Sequence, residues 1–451
     1  MRRNPTTRPA IGSGALAIAT WAFIATNAVL LTGGGLMLAY GPGWYRSTVY
    51  AASGATPIRL GASAELTWLV LLLLCPVILV VSMHVGVRLT RAPSRGARPV
   101  RLVPPSIYAG LALLLSVEPL WRARQVFLGT AASFGDFDAW IQQRWALFEL
   151  LTFPEFVIVY SLIPILAIAA MIAAFIGVRR GARFPWITAS FVMGVTLTVD
   201  MALAMKKQLV LHIAMLGMAA MMTGIASRRL LASFMLLVVA SFALMLQLSG
   251  SATSPLPSGS DAVDAVPLVE SAGSSWHQMV DSWPLPPPAA RFWAHSLTSR
   301  SALPSFYYVE AFPRPMPFTG INVPYIGTST RTFHTSLINE VMFPGLQGTS
   351  YSGWAFALYA EAGLLWAVAG TALLGAGIGI SWNICDRMLT AERKLMAWLL
   401  LASFLILLNT DDWVNNSVSS YGIVYPLAML FMLEMAANLG SDTAAEAETR
   451  A

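Results

Sequence analysis

Charged side chains are scarce in this chain. Only 11% of its 451 residues are Asp, Glu, Lys or Arg, whereas a soluble domain contains about 25%. The mean hydropathy is +0.64, and 56% of the residues are hydrophobic. A soluble globular domain is therefore excluded, and a protein that crosses a membrane several times is expected. The net charge of +6 does not indicate nucleic-acid binding, because most arginines flank apolar segments.

Cysteines are also few. The two in the chain, Cys75 and Cys385, stand far apart and belong to no redox or metal motif. The segments expected outside the membrane contain no His/Cys cluster with the spacing of metal ligands. We therefore expect no metal and no cofactor.

Ten apolar segments are each long enough to cross a bilayer as a helix. They lie near residues 13–40, 65–87, 104–120, 155–178, 185–204, 208–227, 230–248, 352–381, 395–411 and 419–438. The first is too long for the apolar part of a cleaved signal peptide. The predicted fold class is an all-α polytopic membrane protein. It has a seven-span domain (1–248), a large extracytoplasmic loop (249–351), a three-span part (352–438) and a disordered cytoplasmic tail (439–451).

Short basic joins set the predicted orientation. Residues 88–101, 179–183, 228–229 and 386–394 are rich in arginine and should face the cytoplasm together with both termini. Two of the chain's three lysines, Lys206 and Lys207, fall between the second and third of these joins, in VDMALAMKKQLVLHI. Two spans fit between those joins, so the lysines should lie on the outer face. They break the charge rule there, which suggests a function.

Acidic residues near the ends of spans are expected to hold these cations in place, because charges in membranes are usually paired. Asp200 lies two helical turns before Lys207, and Glu118 precedes Arg122 by four residues. Glu361 lies within the predicted eighth span. We interpret these three acids as orienting groups rather than catalytic ones.

The large loop changes character along its length. Residues 251–290 are rich in Ser, Pro and Ala and should be irregular. Residues 291–351 combine arginines with aromatic rings, which suits phosphate oxygens and the apolar faces of sugars. The expected stacking residues are Trp293, Tyr307, Tyr308 and Tyr325. The same composition also fits a loop that touches lipid headgroups and packs its aromatics into a small core of its own.

A second outer feature lies in the join after the third span. Apolar residues recur at helical spacing on one face of residues 137–151, FDAWIQQRWALFELL. This predicts a helix lying flat on the outer leaflet, although packing against other loops explains the pattern equally well.

The arginines and aromatic residues of the large loop suggest a ligand that carries both phosphate and sugar, such as a sugar on a lipid diphosphate. Transfer of a sugar from such a lipid needs cations that stabilise the leaving diphosphate and a base that takes the proton of the acceptor hydroxyl. His334 is the candidate base because its ordinary pKa is near neutrality; Glu340 and Glu310 are its rivals. The first outer loop, 41–64, contains no acid. This argues against sugar transferases that carry their catalytic acid there.

Residues 338–375, INEVMFPGLQGTSYSGWAFALYAEAGLLWAVAGTALLG, resemble the segment of O-antigen polymerases (Wzy type) that follows their large periplasmic loop. The likeness lies in a Gly/Ser-rich turn (Gly348, Ser350, Ser352) before a helix with an aromatic and acidic pair (Tyr359, Glu361) and then a glycine near mid-helix (Gly363). The hairpin 204–231 is similar to the central hairpin of that family and of the related O-antigen ligases. Lys206 and Lys207 stand where those proteins carry an arginine between small residues.

The resemblance implies a GT-C-like glycosyltransferase in the bacterial inner membrane with a periplasmic active face. Its implied partners are an undecaprenyl-diphosphate-linked oligosaccharide, membrane lipids, a chain-length regulator and a flippase. Basic residues of such proteins hold the diphosphate. The candidates here are Lys206, Lys207, Arg291, Arg300, Arg314, Arg331, Arg122 and Arg124.

The expected function is polymerisation of lipid-linked repeat units at the outer face, without a metal. Two alternatives stay open. A ligase of the same fold would pass finished glycan to lipid A core or to a protein, and a flippase would move lipid-linked glycan across the membrane. The flippase alternative calls for inverted repeats, and the sequence shows none between its halves.

Overall fold

The computed structural model describes residues 31–90, 104–132, 302–320, 334–345 and 352–387. Further described positions are scattered through 21–24, 146–194 and 279–287 and at 350 and 401. The regular elements in these residues are helices, and no strand occurs among them. The all-α part of the predicted fold class is therefore confirmed for the part of the chain that the structure describes. The principal helices are α1 (31–40), α2 (Gly43–Ser53), α3 (Ala62–Leu89), α4 (Pro105–Ala132), α5 (302–311), α6 (His334–Met342), α7 (Trp354–Ala362) and α8 (Leu364–Arg387).

Two stretches of the described residues are long and apolar enough to cross a membrane. They are Ala62–Leu89, with a mean hydropathy of 2.7, and Leu364–Ile384, with 1.8. The 28 residues of α3 extend over about 42 Å, against a hydrocarbon thickness of about 30 Å. By their length and composition, these two helices favour association of the protein with a membrane.

Glycines allow α3 and α8 to pack with their backbones in contact. A Cβ atom on Gly375 would lie 2.4 Å from the carbonyl oxygen of Leu79, and one on Gly379 would lie 2.0 Å from that of Met83. Neither distance is sterically possible, so a larger residue at either position would force the helices apart. The two glycines are four residues apart, which is the spacing of close helix pairs in membranes.

The same two helices run in one direction. Positions further along α8 contact positions further along α3, and the side-chain amide of Asn383 donates to the carbonyl oxygens of Val87 (2.7 Å) and Thr90 (3.3 Å). By contrast, α1 is antiparallel to α3. The hydroxyl of Thr32 donates to the Leu72 carbonyl at 3.3 Å, and the hydroxyl of Tyr40, later in α1, donates to Glu65, earlier in α3, at 2.7 Å. These are the relative directions that the charged joins predict for the first, second and eighth spans.

The large loop covers the N-terminal end of α3. The helices α5 and α7 are buried from 302 to 309 and from 354 to 361. Trp68 of α3 is fully buried, donates its indole N–H to the Ser305 hydroxyl at 2.8 Å and stacks on Phe306 with ring centres 4.6 Å apart. The loop and the first helices therefore share one hydrophobic core.

The predicted eighth span, 352–381, is not one continuous helix. The chain turns at Gly363, where φ is 86°, and α7 before it is a buried helix of the loop. The last carbonyls of α7 bond outside the helix, because Thr319 N–H donates to Ala360 (3.0 Å) and Gly320 N–H to Glu361 (2.8 Å). The apolar helix long enough to span begins only at Leu364.

Other boundaries shift less. The predicted second span, 65–87, lies within α3, whereas the helix at the predicted third span, 104–120, runs from Pro105 to Ala132. Within the stretch 251–290, predicted to be irregular, residues 279–281 are helical. Ala146 and Leu150 of the predicted outer helix 137–151 are helical, and most of that segment lies outside the described residues. The predicted spans 208–227, 230–248 and 419–438 lie outside them entirely.

Candidate functional site

His334 lies at the start of α6, in a buried polar network. Its side chain is 2% exposed, and its Nδ1 lies 2.9 Å from the hydroxyl oxygen of Tyr308. That hydroxyl also lies 3.3 Å from the Ser350 carbonyl oxygen. The network is closed by the Ser350 hydroxyl, which donates to the Asn339 side-chain oxygen at 3.1 Å, and by the Ser350 N–H, which donates to the Thr335 carbonyl at 3.0 Å.

The network favours one tautomer of His334. The Tyr308 hydroxyl has a single proton, and the Ser350 carbonyl can only accept. Both contacts are satisfied together when Tyr308 donates to Ser350 and the Nδ1–H of His334 donates to Tyr308. The other ring nitrogen, Nε2, then carries a lone pair. It is buried, and no described residue bonds to it.

Burial lowers the pKa of His334 from 6.5 to about 4. An imidazolium would lose its hydration in this core, so the neutral ring is strongly favoured. Near pH 7 the side chain is consequently a neutral imidazole with an unoccupied lone pair. The neutral ring can accept a proton, but its low pKa means that it holds that proton only weakly near pH 7.

The rival carboxylates lie in a different environment. Glu310 and Glu340 are both exposed. The carboxylate of Glu340 accepts the N–H of Gly345 at 3.1 Å, which stabilises the turn after α6. Of the three candidate bases, only His334 is held inside a hydrogen-bonded network.

The predicted stacking role of Tyr307 and Tyr308 is corrected by the structure. Both rings have 0% exposure, so neither presents a face to a sugar. Tyr308 serves His334, and the hydroxyl of Tyr307 donates to the Thr56 carbonyl. Aromatic residues in an outer loop suggested ligand contacts, but these two form the core that joins the loop to the first helices.

The predicted cations divide into separate groups. Arg122 pairs with Glu118 at 3.1 Å, as predicted, and also with Glu155 at 2.9 Å. Two carboxylates thus already balance the guanidinium that was expected to bind diphosphate. Arg124 donates to the Trp121 carbonyl (2.7 Å), and its guanidinium lies 4.5 Å from the centre of that ring, an arrangement suited to a membrane interface.

Two further predicted residues, one cation and one acid, lie in different surroundings. Arg314 is exposed in the turn after α5. Glu361 is buried, and its carboxylate accepts the indole N–H of Trp366 at 2.9 Å. It therefore lies outside the span in which it was predicted. The remaining predicted site residues lie outside the described part of the chain: Lys206, Lys207, Asp200, Arg291, Arg300, Arg331, Trp293 and Tyr325.

A buried arginine of the first outer loop was missed by the sequence analysis. Arg46 of α2 is 2% exposed and donates to the Gly41 carbonyl at 2.5 Å. The carboxylate of Asp281 accepts the N–H of Gly43 at 2.5 Å and acts electrostatically on Arg46. Burial lowers the pKa of Arg46, while Asp281 and then Tyr50 oppose that shift. The one available signal was an arginine among aromatic residues in a loop without acids.

An acid also lies just beyond that loop. Glu65, in the first turn of α3, is 4% exposed and accepts the hydroxyl of Tyr40 at 2.7 Å. The predicted absence of an acid from 41–64 holds, but the buried carboxylate stands one residue past that boundary.

Metal ligands do not cluster in the described residues: no group of three His, Cys, Asp or Glu lies close enough to hold an ion. One feature of the sequence counts against the expected metal independence. Asp136 and Asp138 form an Asp-x-Asp pair at the start of the predicted outer helix 137–151, and both lie outside the described residues. In comparisons with known proteins, no family model, curated protein or solved structure matches this chain.

Proposed function

We propose that this protein is an integral membrane polymerase of oligosaccharide repeat units carried on a polyprenyl diphosphate. It would act at the outer face of the bacterial inner membrane, with about ten spans and both termini in the cytoplasm. The growing glycan would pass from its carrier to the sugar of an incoming lipid-linked unit. The observation that carries the proposal is the buried His334 network in a loop that shares its core with a span-length helix.

The chemistry requires one base and one set of cations. The acceptor hydroxyl attacks the anomeric carbon of the donor sugar, and its proton passes to Nε2 of His334. The bond between that carbon and the diphosphate oxygen breaks, and the diphosphate leaves with the electron pair. Each donor aimed at the developing charge contributes about 3–4 kcal/mol to lowering the barrier.

The orientation of His334 supports this role. The contact between Tyr308 and Nδ1 fixes the ring and leaves Nε2 as the acceptor. This is the arrangement by which a second group orients a catalytic imidazole. Because Nε2 is buried in the described arrangement, the acceptor must reach it through a rearrangement of neighbouring residues. The same rearrangement must expose the ring enough for it to take up the proton.

The test is polymer formation by purified protein given a lipid-linked repeat unit in detergent, followed on a polysaccharide gel. Wild-type protein should yield a ladder of long chains without a vesicle, which a flippase would not. His334→Ala and the double variant Lys206→Ala/Lys207→Ala should yield single units while the protein remains folded. Arg88→Gln, exposed near the opposite end of α3, is the matched control and should retain the ladder.

Two results would contradict the proposal. An unchanged ladder in His334→Ala would contradict the assignment of His334 as the base. Glycan attached only to lipid A core or a protein would indicate a ligase instead. Addition of EDTA tests metal independence separately: a ladder that disappears and returns with a divalent cation would assign a metal to the reaction. Asp136→Asn should then have the same effect as EDTA.

A further inference from the structure

The amino end of α2 combines three groups in a small space. The Gly43 N–H, at the first position of this 11-residue helix, donates to the carboxylate of Asp281 at 2.5 Å. A Cβ atom on Gly43 would lie 3.2 Å from the Asp281 Oδ1 and 3.7 Å from the Nη2 of Arg46. The helix start, the guanidinium and the carboxylate therefore meet around the one residue that has no side chain.

The hydrogen bonding of Arg46 is incomplete. One Nη donates to the Gly41 carbonyl, while its Nε is buried without a hydrogen-bond partner among the described residues. Asp281 lies close enough to attract the guanidinium, yet no oxygen of it comes within 4 Å of an Arg46 nitrogen. A buried guanidinium normally has its charge and its N–H groups satisfied.

Asp281 is also the exposed member of the group. Asp281 is exposed and Arg46 is buried, so the carboxylate lies nearer the solvent than the guanidinium that it attracts. The positive end of a helix with an arginine beside it is a favourable place for an anion. Asp281 thus occupies the position that a phosphate oxygen would take.

We infer that Arg46 and the amino end of α2 form a binding site for a diphosphate, and that Asp281 fills this site until the ligand displaces it. The identity of the ligand as the diphosphate of the carrier lipid rests on the function proposed above. The site lies three residues beyond the end of α1, a helix that packs along α3, and a lipid diphosphate would lie at such an end of a spanning helix. It adds to the cations predicted from sequence.

The experiment measures binding of inorganic pyrophosphate to the purified full-length protein by calorimetry at constant ionic strength. Asp281→Asn keeps an oxygen that can accept from Gly43 but removes the competing charge, so its affinity should rise about tenfold. Adding Arg46→Gln to Asp281→Asn should abolish that gain. Arg46→Lys keeps the charge in case the glutamine variant does not fold, and it should retain part of the gain.

Arg59→Gln is the matched control. Arg59 is an exposed cation of the same outer loop, and its loss should leave the affinity of the Asp281→Asn protein unchanged. If Asp281→Asn lowers the thermal stability without raising the affinity, Asp281 is only a tether and the inference is overturned. Equal losses of pyrophosphate affinity from Arg59→Gln and Arg46→Gln would overturn it as well, because the binding would then reflect nonspecific electrostatic attraction to the outer loop.

Competition distinguishes the two sources of phosphate. Micelles containing a polyprenyl diphosphate should displace pyrophosphate, whereas phosphatidylglycerol should not; equal displacement would overturn the assignment to the carrier. The proposed function fails independently, through the polymerisation assay. If Asp281→Asn binds pyrophosphate tenfold more tightly but no polymer forms, the anion site is supported and the proposed function is contradicted. If the ladder is normal but no variant changes pyrophosphate affinity, only the anion site is contradicted.

Discussion

The side chain of His334 links the pH of the solution to the stability of the fold. Its ring is buried with one nitrogen bonded and the other facing no described partner. Protonation would place a charge in a core that offers that nitrogen no acceptor. The same burial that keeps the ring neutral near pH 7 therefore makes the folded protein resist taking up a proton.

Acid should destabilise the protein through this residue. The pKa of His334 is about 4 when folded and about 6.5 when unfolded, so the unfolded chain binds the proton first. The contribution of His334 is present above about pH 6.5 and is lost as the pH falls towards 4, a change on the order of 3 kcal/mol. Thermal unfolding in detergent at about pH 7.5, 6 and 5 measures it.

The variant His334→Gln has no group to titrate there and should lose less stability over this range than the wild type. His84→Gln is the control, because His84 is exposed, and it should follow the wild-type curve. Equal slopes for His334→Gln and the wild type would contradict the prediction.

Tyr308→Phe should weaken both the fold and the reaction. It leaves the Nδ1–H of His334 and the Ser350 carbonyl without the hydroxyl between them, which costs about 1–3 kcal/mol. It also frees the imidazole to change tautomer. Tyr359→Phe removes a comparable buried bond, from its hydroxyl to the Phe312 carbonyl at 2.9 Å, without touching His334.

Unfolding curves and polymerisation rates per folded protein should separate these two tyrosine variants. Both should be less stable, and only Tyr308→Phe should polymerise more slowly. Equal rates would show that the hydroxyl of Tyr308 has a structural role alone.

Sequence reasoning found those parts of the site whose partners are close along the chain. Glu118 and Arg122 are one helical turn apart, and their pairing follows from that spacing. Arg46 and Asp281 come together only in the folded protein, because more than two hundred residues separate them. The nature of a residue such as His334 could be read from the sequence, but its burial and its bond to Tyr308 could not.

At the scale of helices, the close contact between α3 and α8 depends on glycines, which have no Cβ atom. Leu79 and Met83 present backbone carbonyls where Gly375 and Gly379 have no Cβ. Hydropathy alone located α3 well, because a continuous apolar run is a direct signal for a spanning helix. It placed the start of α8 too early, since the turn at Gly363 depends on bonds from the distant residues Thr319 and Gly320.

Gly379→Ala should destabilise the protein by about 1–3 kcal/mol, because its methyl group would overlap the Met83 carbonyl. Gly110→Ala is the matched control: nothing lies within 4 Å of a Cβ there, and alanine favours a helix over glycine by up to about 1 kcal/mol. Thermal unfolding in detergent compares the two. Equal destabilisation would mean that the close packing of α3 and α8 contributes little.

At the scale of the whole molecule, the directions of α1, α3 and α8 limit the possible arrangements in a membrane. The chain enters both α3 and α8 at the same end, where α2 and the large loop also lie. That end must therefore face one side of the membrane as a unit. The basic join 88–101 begins where α3 ends, at the opposite side.

Thiol labelling of intact spheroplasts tests which side this is. A membrane-impermeant maleimide should label Ser282→Cys, which is exposed beside Asp281, before lysis. Ser94→Cys, in the basic join, should be labelled only after lysis. A background with Cys385→Ser removes the native thiol near the end of α8, and Cys75 is buried. The reverse pattern of labelling would contradict the proposed orientation and the outer-face reaction with it.

The core shared by the first helices and the large loop has a consequence for synthesis. Trp68 finds its partners Ser305 and Phe306 only after more than two hundred further residues have been made. During that interval its indole and the end of α3 have no permanent cover. We expect a chain that stops before 302 to be bound by membrane chaperones and degraded. The first helices would therefore persist only when the later part of the protein has been made.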